Sequence, residues 1–508
     1  MILKDEILVR HAQECPDKTA LIFEDERFTF KELNDRVNSL TQALMDLGVN
    51  KGDKVAIIAD NCHQYIEIGC AGVKGGLVIV PLYPNLSQRE LSYLINNSET
   101  NTVIFGENYT DKINAFRSEL KGVKNFIVIG KPGDGTKSYE TLVASYPAKE
   151  PQIEVKDSDL YMLACTGGTT GLPKQVMLTY RSIVTTMFNI MYIFNIRQDD
   201  VTLFAMPIFW AQLIYWQGFS HSYMGCTVVI LKEPTPSSIL KAIDKEKVTN
   251  SFLSASLIPT LANHPDVSKY DHSSLHRIVA SGAPLPAEAW KKAIDIFGHV
   301  FSPLYGACEI SPVAFLPPED LIFEGPPDRA KGSSCGKETF SAEIRIVDEQ
   351  GNDVAPGQVG EVTAKGKHLM AGYWKAPKAT EEAIKGGYFY TGDLGRMDKD
   401  GYLYLIGRKK DVITSQGKLI SPSEVEDIIY RHPSVLEAAV VGIPDEQLGE
   451  AVKAVIVLKL GAKATAEEII DLCRNYLPSY AVPSLVDFAA SLPKSAAGKI
   501  LKRELKTR

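Results

Sequence analysis

The segment from Thr166 to Val176 reads TGGTTGLPKQV and directly follows an apolar run. Its glycines let backbone N–H groups approach an anion closely, its threonine hydroxyls donate hydrogen bonds, and Lys174 adds a positive charge. This composition favours a loop that binds phosphate, although an ordinary turn has the same composition. Because Pro173 precedes Lys174 and no Ser or Thr follows it, the segment is not a P-loop of the GxxxxGK[ST] type.

A second glycine-rich segment, GKPGDGTK at residues 130–137, also resembles a P-loop. Its lysine and hydroxyl residue do not follow the last glycine in the order that a P-loop requires. We therefore predict a surface turn at this position.

Three charged residues in short motifs could take part in chemistry on an anionic substrate. They are Glu309 in LYGACE, Asp393 in YTGDLG and Lys499 in PKSAAGK. Each also has a plain structural interpretation when it is taken alone. Glu309 would be a solvated loop carboxylate, Asp393 a turn residue, and Lys499 part of a solvated basic tail.

The composition of the whole chain limits the class of protein. A chain of 508 residues is too long for one ordinary core, so two or more domains are expected. The net charge of −7 argues against a nucleic-acid binder, which would carry a basic excess on one face. With 45% hydrophobic and 23% charged residues, the composition is that of a soluble globular protein.

The cysteines and the apolar segments indicate a cytoplasmic protein. The eight cysteines are scattered without a CxxC pair, which predicts reduced thiols and disfavours a zinc site. The start of the chain lacks the apolar stretch of a signal peptide. The apolar stretch TTMFNIMYIF, about ten residues, is too short to span a bilayer.

The elements that must position these residues alternate between helix and strand. Leu33, Val37, Leu40 and Leu44 recur at helical spacing before Gly48, and a strand follows at residues 54–58. Similar alternation continues to about residue 307. The pattern predicts an α/β fold of βα units with mostly parallel sheets and with ligand loops at the carboxyl ends of the strands.

The pattern of predicted elements changes twice, at about residue 335 and again at residue 410. Short strands with turn signals predict a small β-rich subdomain at about residues 335–409 within a large N-terminal domain, residues 1–409. Residues 410–508 predict a compact α+β domain, in which Ser421 to Glu424 and Thr465 to Glu468 fit helix capping boxes.

Several further motifs occur in one order along the chain. Besides YMLACTGGTTGLPKQVMLTYRS and LYGACE, they are PIFWAQ, ASGAPL, GEVTAKGKHLMAGYWKAPKAT, GYFYTGDLG, GRKKDVITSQGKLISPSEVE and PKSAAGKILKREL. Together they resemble the adenylate-forming enzymes, which comprise acyl-CoA synthetases, peptide-synthetase adenylation domains and firefly-type luciferases. The resemblance runs from about residue 15 to the C terminus and is strongest to AMP-forming acyl-CoA synthetases.

The resemblance implies a two-step reaction. A carboxylic acid is joined to the α-phosphate of ATP, which gives acyl-AMP and pyrophosphate, and the thiol of coenzyme A then displaces AMP. It implies ATP, Mg²⁺ and coenzyme A, with Glu309 associated with the metal because hard cations take oxygen ligands. Residues by the triphosphate would be Thr166, Gly167, Gly168, Thr169, Thr170, Gly171 and Lys174.

The same resemblance implies roles for residues around the nucleoside. Those beside adenine would be Gly282, Ala283, Pro284, Tyr305 and Gly306, although core packing explains Tyr305 equally well. Asp393 would accept both ribose hydroxyls, and Arg408 would also contact the ribose.

The resemblance also implies a mobile C-terminal domain. Lys499 would bridge the substrate carboxylate and the α-phosphate, since a cation must stand between two reacting anions. Lys410 would be the hinge, and rotation there would replace Lys499 with the loop of Gln416 and Gly417, which borders the coenzyme A tunnel.

The sequence departs from the family pattern at several positions. Gly167 stands in place of serine and Gln175 in place of glycine, so phosphate contacts should differ there. Cys308 stands where a threonine contacts the α-phosphate, and a thiol is a weaker donor. Trp210 is the bulkiest choice for one wall of the acyl pocket.

The remaining residues expected in the acyl pocket are small or apolar: Ala211, Leu213, Ser254, Ala255, Ala307 and Val313. A buried unpaired charge would be costly, so a neutral-tailed monocarboxylic acid is expected, either aliphatic or aromatic and of small to medium size.

Two alternatives stay open at this point. A stand-alone adenylation enzyme would load a carrier protein, and an inactive scaffold would only bind nucleotide, although Lys499, Glu309 and Asp393 are all present. Further expected partners are a lysine acetyltransferase and deacetylase acting at Lys499, and a homo-oligomer is compatible with the sequence.

Overall fold

The computed structural model describes residues 7–166, 172–210, 212–283, 285–326, 329–445, 447–493 and 500–506. The predicted α/β class is confirmed, with a large N-terminal domain and a smaller C-terminal domain built around mixed sheets. The strands and helices alternate along most of the N-terminal domain, as the spacing of apolar residues indicates.

The strands are numbered in chain order. They are β1 (Thr19–Phe23), β2 (Glu26–Thr29), β3 (Lys54–Ile58), β4 (Val78–Pro81), β5 (Thr100–Gly106), β6 (Asn125–Ile129), β7 (Lys137–Ser138), β8 (Leu160–Cys165), β9 (Gln175–Thr179), β10 (Val201–Phe204), β11 (Thr227–Ile230), β12 (Asn250–Ser254), β13 (Arg277–Ser281), β14 (Phe301–Ala307), β15 (Ile310–Phe315), β16 (Lys337–Glu338), β17 (Ala342–Val347), β18 (Gly360–Gly366), β19 (Gly372–Tyr373), β20 (Ile384–Lys385), β21 (Tyr388–Met397), β22 (Leu403–Arg408), β23 (Ile413–Ser415), β24 (Lys418–Ile420), β25 (Val435–Asp445), β26 (Gly449–Leu458) and β27 (Leu485–Phe488).

The α-helices are α1 (Val9–Glu14), α2 (Phe30–Asp46), α3 (Gln64–Gly75), α4 (Gln88–Asn97), α5 (Thr110–Phe116), α6 (Tyr139–Ser145), α7 (Tyr180–Phe194), α8 (Ser220–Met224), α9 (Pro236–Glu246), α10 (Leu257–Ala262), α11 (Ala287–Phe297), α12 (Pro377–Ala383), α13 (Pro422–Ile429) and α14 (Ala466–Tyr476). A π-helical segment covers Ile214–Phe219, and a short 3₁₀ helix covers Lys502–Leu505.

Two large sheets form the N-terminal domain. The nine-stranded sheet has the order β16-β15-β14-β13-β12-β10-β11-β1-β2, and the eight-stranded sheet has the order β19-β9-β8-β4-β3-β5-β6-β7. The central strands of both sheets are parallel, whereas strands at or next to the edges, such as β2, β15 and β19, pair antiparallel. The carboxyl ends of parallel strands meet at one edge, where ligand loops of such sheets gather.

Two smaller sheets follow along the chain. Strands β17, β18, β20, β21 and β22 form an antiparallel sheet inside the region predicted as β-rich. Strands β16 and β19 of the same region pair instead with the two large sheets. The C-terminal sheet contains β23 to β27, including the long antiparallel pair of β25 and β26.

The hydrophobic cores divide near the predicted domain boundary. Buried clusters of the N-terminal domain extend as far as Leu403, and those of the C-terminal domain begin at Ile413. The boundary at residue 410 and the hinge at Lys410 stay predictions.

Helix α2 shows how the sequence specifies an element. Thr29 and Glu32 form a complete capping box that satisfies backbone N–H groups at its first turn. Leu33, Val37 and Leu40 are fully buried on one face, and Gly48 follows the helix with a φ of 82°, which glycine adopts readily.

Three local predictions can be compared with the structure. Residues 130–136 form a largely exposed loop between β6 and β7, as predicted, and Lys137 begins β7. Thr465 and Glu468 form the predicted capping box, whereas at Ser421 only one half is found: its side chain accepts from the Glu424 N–H. All eight cysteines are free thiols, as predicted.

Candidate active site

The carboxyl ends of β12, β13 and β14 lie side by side because these three strands are parallel neighbours. Ser254 lies opposite Ser281 in this register, and the Ala255 N–H donates to the Ser281 carbonyl at 3.0 Å. The exposed residues Gly282 and Ala283 follow at once. The motifs ASGAPL and LYGACE therefore meet at one edge of the nine-stranded sheet, while Pro284 lies outside the described residues.

The glycine-rich segment connects two antiparallel strands, β8 and β9. The Thr166 N–H donates to the Lys174 carbonyl at 2.9 Å, which closes the base of the hairpin. The sequence predicts a loop after a strand of a βα unit. The strand β8 is indeed parallel to β4, but the chain returns as strand β9 and not as a helix. Residues 167–171, including every glycine of the segment and both inner threonines, lie outside the described residues.

Lys174, Tyr373 and Glu309 form a cluster beside this hairpin. The Lys174 ammonium lies 4.7 Å from the centroid of the Tyr373 ring. The Tyr373 hydroxyl donates to Glu309 Oε1 at 2.7 Å. Burial raises the pKa of Tyr373, and the nearby Glu309 carboxylate raises this pKa further. The hydroxyl therefore stays protonated at neutral pH and acts as a donor.

Asp393 is held by two side chains, one at each oxygen of its carboxylate. Tyr305 donates its hydroxyl to Asp393 Oδ2 at 2.7 Å, and the Arg408 guanidinium lies 2.8 Å from Oδ1. Asp393 and Arg408 are cross-strand partners in the pair of β21 and β22. Burial raises the pKa of Tyr305, and Asp393 adds to this rise. Three of the residues predicted around the nucleoside, Tyr305, Asp393 and Arg408, are therefore brought together at one carboxylate.

Gly306 lies near the end of β14, and Cys308 lies in the turn between β14 and β15. A Cβ atom at Gly306 would clash with the Ser311 side chain, so only glycine allows this close approach. The half-buried Cys308 accepts a hydrogen bond from the Gln212 side chain at 3.4 Å. This contact joins the motif PIFWAQ to the motif LYGACE.

The residues predicted for the acyl pocket are mostly core residues. Leu213 and Val313 are fully buried in one hydrophobic cluster, and the half-buried Trp210 and Ala307 pack against it. Ser254 lies at the end of β12, where its hydroxyl is 3.0 Å from that of Ser256. Ala211 lies outside the described residues.

The Gln175 side chain is buried and accepts a hydrogen bond from the Asn97 side chain at 2.8 Å. The altered phosphate contacts expected at this position stay a prediction. The Trp374 N–H donates to the Gln175 carbonyl at 2.8 Å. Gln175 therefore connects the hairpin to α4 and β19, and its side chain points into the protein.

The C-terminal domain contributes an exposed hairpin tip. Gln416 and Gly417 form the two-residue turn between β23 and β24, both with positive φ. The exposed Lys410 lies between β22 and β23. Lys499 lies outside the described residues, so its role and its acetylation stay predictions. The chain on either side of it is described: the Leu501 N–H donates to the Pro493 carbonyl at 2.8 Å.

The sequence motifs did not single out Tyr373, Gln212 or Thr391. Tyr373 lies within the motif GEVTAKGKHLMAGYWKAPKAT, yet its position between Lys174 and Glu309 depends on a strand pairing that connects distant parts of the chain. Gln212 likewise belongs to PIFWAQ. The Thr391 carbonyl accepts from Arg408 at 3.2 Å.

Within the described residues, no helix has the length and apolar character needed to cross a membrane. The sequence model of AMP-binding enzymes matches residues 8–374, and that of the AMP-binding enzyme C-terminal domain matches residues 424–499.

Several known proteins are similar over almost their whole length. A feruloyl-CoA synthase of an Amycolatopsis species is 31% identical, and the match covers 98% of each chain. A long-chain-fatty-acid–CoA ligase of Bacillus subtilis is also 31% identical, with 98% of this chain and 93% of the relative covered. The solved structure of an anthranilate CoA ligase in complex with anthranoyl-AMP is 26% identical with a TM-score of 0.92, and it covers 99% of this chain and 96% of that chain. The chain therefore belongs to the AMP-binding enzyme family, the adenylate-forming enzymes, among which its relatives are AMP-forming acid–CoA ligases.

Proposed function

We propose that this AMP-forming acid–CoA ligase activates a neutral-tailed monocarboxylic acid with ATP and transfers the acyl group to coenzyme A. The observation that carries the proposal is the cluster of Lys174, Tyr373 and Glu309 beside the glycine-rich hairpin. It combines a cation suited to phosphate with a carboxylate suited to a divalent metal ion.

The triphosphate of ATP would lie against Thr166, Lys174 and the glycine-rich residues between them. Mg²⁺ would be held by Glu309, and its charge would offset that of the phosphates. In the described part of the chain, no group of three or more His, Cys, Asp or Glu side chains could enclose a metal ion. This fits Mg²⁺, which proteins bind through one or two carboxylates together with phosphate oxygens and water.

The nucleoside would lie between the motifs ASGAPL and LYGACE on one side and the strands β21 and β22 on the other. Asp393 would accept the ribose hydroxyls, and Arg408 would hold this carboxylate in place through their ion pair. Adenine would lie by Gly282, Ala283 and Pro284 on one side and near Tyr305 and Gly306 on the other. Because Tyr305 is largely buried and hydrogen-bonded to Asp393, it would also help to position the Asp393 carboxylate for the ribose hydroxyls.

Lys499 would supply the cation between the carboxylate and the α-phosphate during adenylation. The carboxylate oxygen attacks the α-phosphorus, and the bond to the bridging oxygen of pyrophosphate breaks. In the second step the thiolate of coenzyme A attacks the acyl carbon, and AMP leaves. Rotation at Lys410 would then present Gln416 and Gly417, whose exposed turn fits a position beside the coenzyme A chain.

The pocket residues support an acid with a neutral tail. Trp210, Leu213 and Val313 belong to or pack against one hydrophobic cluster, and a charged tail buried there would be costly. The relatives named above act on an aromatic and on aliphatic acids, so both kinds of small to medium acid belong in the test.

The decisive experiment is ATP–pyrophosphate exchange with a panel of aliphatic, aromatic, amino and dicarboxylic acids. We expect exchange with one or more neutral-tailed acids, and an acyl-CoA product when coenzyme A is added. Exchange without this product would indicate a carrier-loading enzyme. No exchange with any acid would indicate a nucleotide-binding scaffold and would overturn the proposal.

A further inference from the structure

Tyr373 contacts two charged residues of opposite sign without allowing them to meet. The Lys174 ammonium lies over the face of the Tyr373 ring, and Glu309 accepts a hydrogen bond from the Tyr373 hydroxyl at the edge of the ring. No ion pair joins Lys174 to Glu309 in the described structure. The ring therefore stands as a spacer between a cation and a carboxylate that would otherwise attract each other.

The backbone fixes Tyr373 at both ends of a short segment. The Met370 N–H donates to the Glu309 carbonyl at 2.8 Å, and Tyr373 lies opposite Val176 in the antiparallel pair of β19 and β9. A residue two positions from a cross-strand partner lies within reach of an aromatic side chain. This register places the Tyr373 ring beside Lys174.

The side chain of Tyr373 has little freedom. It is 8% exposed, and its backbone N–H donates to the Thr380 hydroxyl at 2.9 Å. Ordering a rigid aromatic residue costs less entropy than ordering a lysine or a glutamate in a fixed position. Tyr373 can therefore hold its two longer neighbours in place before a ligand binds.

Separation of the two charges has a chemical consequence. An ion pair between Lys174 and Glu309 would satisfy both groups, and it would have to break before phosphate or a metal ion could bind. The hydroxyl occupies only Oε1 of Glu309, and no side chain among the described residues donates to Oε2. This leaves one carboxylate oxygen for a cation. No described residue accepts a hydrogen bond from the ammonium over the ring, so its N–H donors are left for phosphate.

We infer that Tyr373 is a positioning residue which keeps Lys174 available to the phosphates and Glu309 available to the divalent metal ion. The inference rests on the proposed function, in which these two residues bind MgATP. Its two halves can be separated, because the ring acts on Lys174 and the hydroxyl acts on Glu309.

Two substitutions divide these roles. Tyr373→Phe removes the hydroxyl and keeps the ring, whereas Tyr373→Leu removes both. Tyr402→Phe is a matched control, since Tyr402 also donates to a carboxylate, that of Asp320, at 2.8 Å and also lies under an ammonium, that of Lys331, at 4.7 Å. Tyr402 is 9% exposed and belongs to none of the predicted sites.

The measurement is calorimetric binding of ATP without any carboxylic acid, in EDTA and at a series of Mg²⁺ concentrations. For Tyr373→Phe we expect the Mg²⁺ concentration that half-saturates ATP binding to rise roughly tenfold, the effect of one lost hydrogen bond to a charged group. Its ATP affinity in EDTA should equal that of the wild type. For Tyr373→Leu, ATP affinity in EDTA should also fall, by about fivefold, because Lys174 loses the ring.

Tyr402→Phe should change neither quantity. An unchanged Mg²⁺ requirement in Tyr373→Phe, or an equal change in Tyr402→Phe, would overturn the inference. A further variant, Lys174→Met, changes an exposed residue and therefore needs no repacking of the core. It should weaken ATP binding in EDTA. The double variant Lys174→Met, Tyr373→Leu should bind ATP no more weakly than Lys174→Met alone. A wild-type protein that binds MgATP but shows no pyrophosphate exchange would overturn the proposed function alone, whereas absence of ATP binding would overturn both.

Discussion

Asp393 and Arg408 lie directly opposite each other in an antiparallel pair, and their side chains form an ion pair of 2.8 Å. Tyr305 donates to the second oxygen of the same carboxylate. A side chain held from two directions cannot turn away from a ligand at low cost. The carboxylate is therefore oriented before nucleotide binds, which lowers the entropy cost of binding.

We expect Asp393→Asn to lower kcat/KM for ATP by about 10- to 100-fold, because a neutral amide accepts weaker hydrogen bonds from ribose than a carboxylate does. The loss should be smaller when 2′-deoxy-ATP replaces ATP, since one of the two hydroxyl contacts is then absent in both proteins. Equal losses with the two nucleotides would argue against contact with the ribose. Thermal unfolding of the variant checks that Tyr305 and Arg408 still pack.

Lys499→Ala should abolish adenylation and leave the second step largely intact. The lysine is proposed to stabilise charge only while the carboxylate attacks the α-phosphate. Pyrophosphate exchange would measure the first step, and thioester formation from supplied acyl-AMP would measure the second. Equal loss of both activities would contradict the proposed role.

Lys502, three residues after Lys499, forms an ion pair with Glu426. This ion pair should help to hold the segment that carries Lys499 in position. Glu426 Oε1 accepts from the Lys502 ammonium and from the Val440 N–H, both at 2.7 Å. Burial raises the pKa of Glu426, and Lys502 opposes this rise. Removing one partner of such a pair is costly, so Lys502→Ala should destabilise the C-terminal domain by about 3 kcal/mol.

Adenylation by Lys502→Ala should also fall more than thioester formation from acyl-AMP. The control is Lys506→Ala, whose ammonium lies 3.8 Å from Glu450 in a more exposed pair. Such a pair contributes about 0.5 kcal/mol. Urea unfolding and the two half-reactions would separate the variants, and similar behaviour of both would show that the buried pair has no special role.

Trp210 offers a test of substrate size. It is half-buried and packs against the cluster that contains Leu213. We expect Trp210→Ala to shift the ratio of kcat/KM values toward bulkier acids by roughly 10- to 200-fold, the range for removing apolar contacts in a pocket. Phe323→Ala is the control, because the half-buried Phe323 packs against a different hydrophobic cluster that contains none of the predicted pocket residues. An unchanged ratio in Trp210→Ala would place the acid elsewhere.

Stability should depend on pH through Glu67 of α3. Burial alone would raise the pKa of this fully buried carboxyl, but His63 and Arg36 outweigh it and lower the pKa from 4.5 to about 2. The folded protein therefore binds fewer protons here than the unfolded chain. The stabilisation is complete above about pH 4.5 and is lost as the pH falls toward 2.

Glu67→Gln should accordingly lower the free energy of unfolding by about 3 kcal/mol at pH 7. The difference from the wild type should shrink between pH 4.5 and pH 2.5, where the wild-type protein loses the same stabilisation. Urea unfolding at several pH values would measure it. The exposed Glu14 pairs with Arg10 at 3.7 Å, so Glu14→Gln should change stability by about 0.5 kcal/mol or less.

Much of the fold could be predicted from sequence because its signals are local. The spacing of Leu33, Val37 and Leu40 specifies the buried face of α2, and the apolar runs of β25 and β26 indicate two strands. The proximity of Asp393 and Arg408 could also be expected from their motifs, since the two residues are separated by only a short hairpin.

The remaining features depend on pairing between distant segments. Nothing near Gln175 indicates that its side chain points to Asn97 and away from the loop. The role of Tyr373 likewise depends on β19 joining β9, and a two-residue strand has no periodicity to read. Sequence motifs identify residue types, whereas the direction of a side chain depends on packing from elsewhere in the chain.

The pairing of β19 with β9 also bears on how the protein is made. Tyr373 follows its partner Val176 by 197 residues. On the ribosome, strand β9 is therefore synthesised long before the strand that covers it, and its edge stays open to unwanted pairing during that time. A nascent chain that stops before residue 372 would lack the ring beside Lys174. The ability to bind MgATP should thus arise late in synthesis.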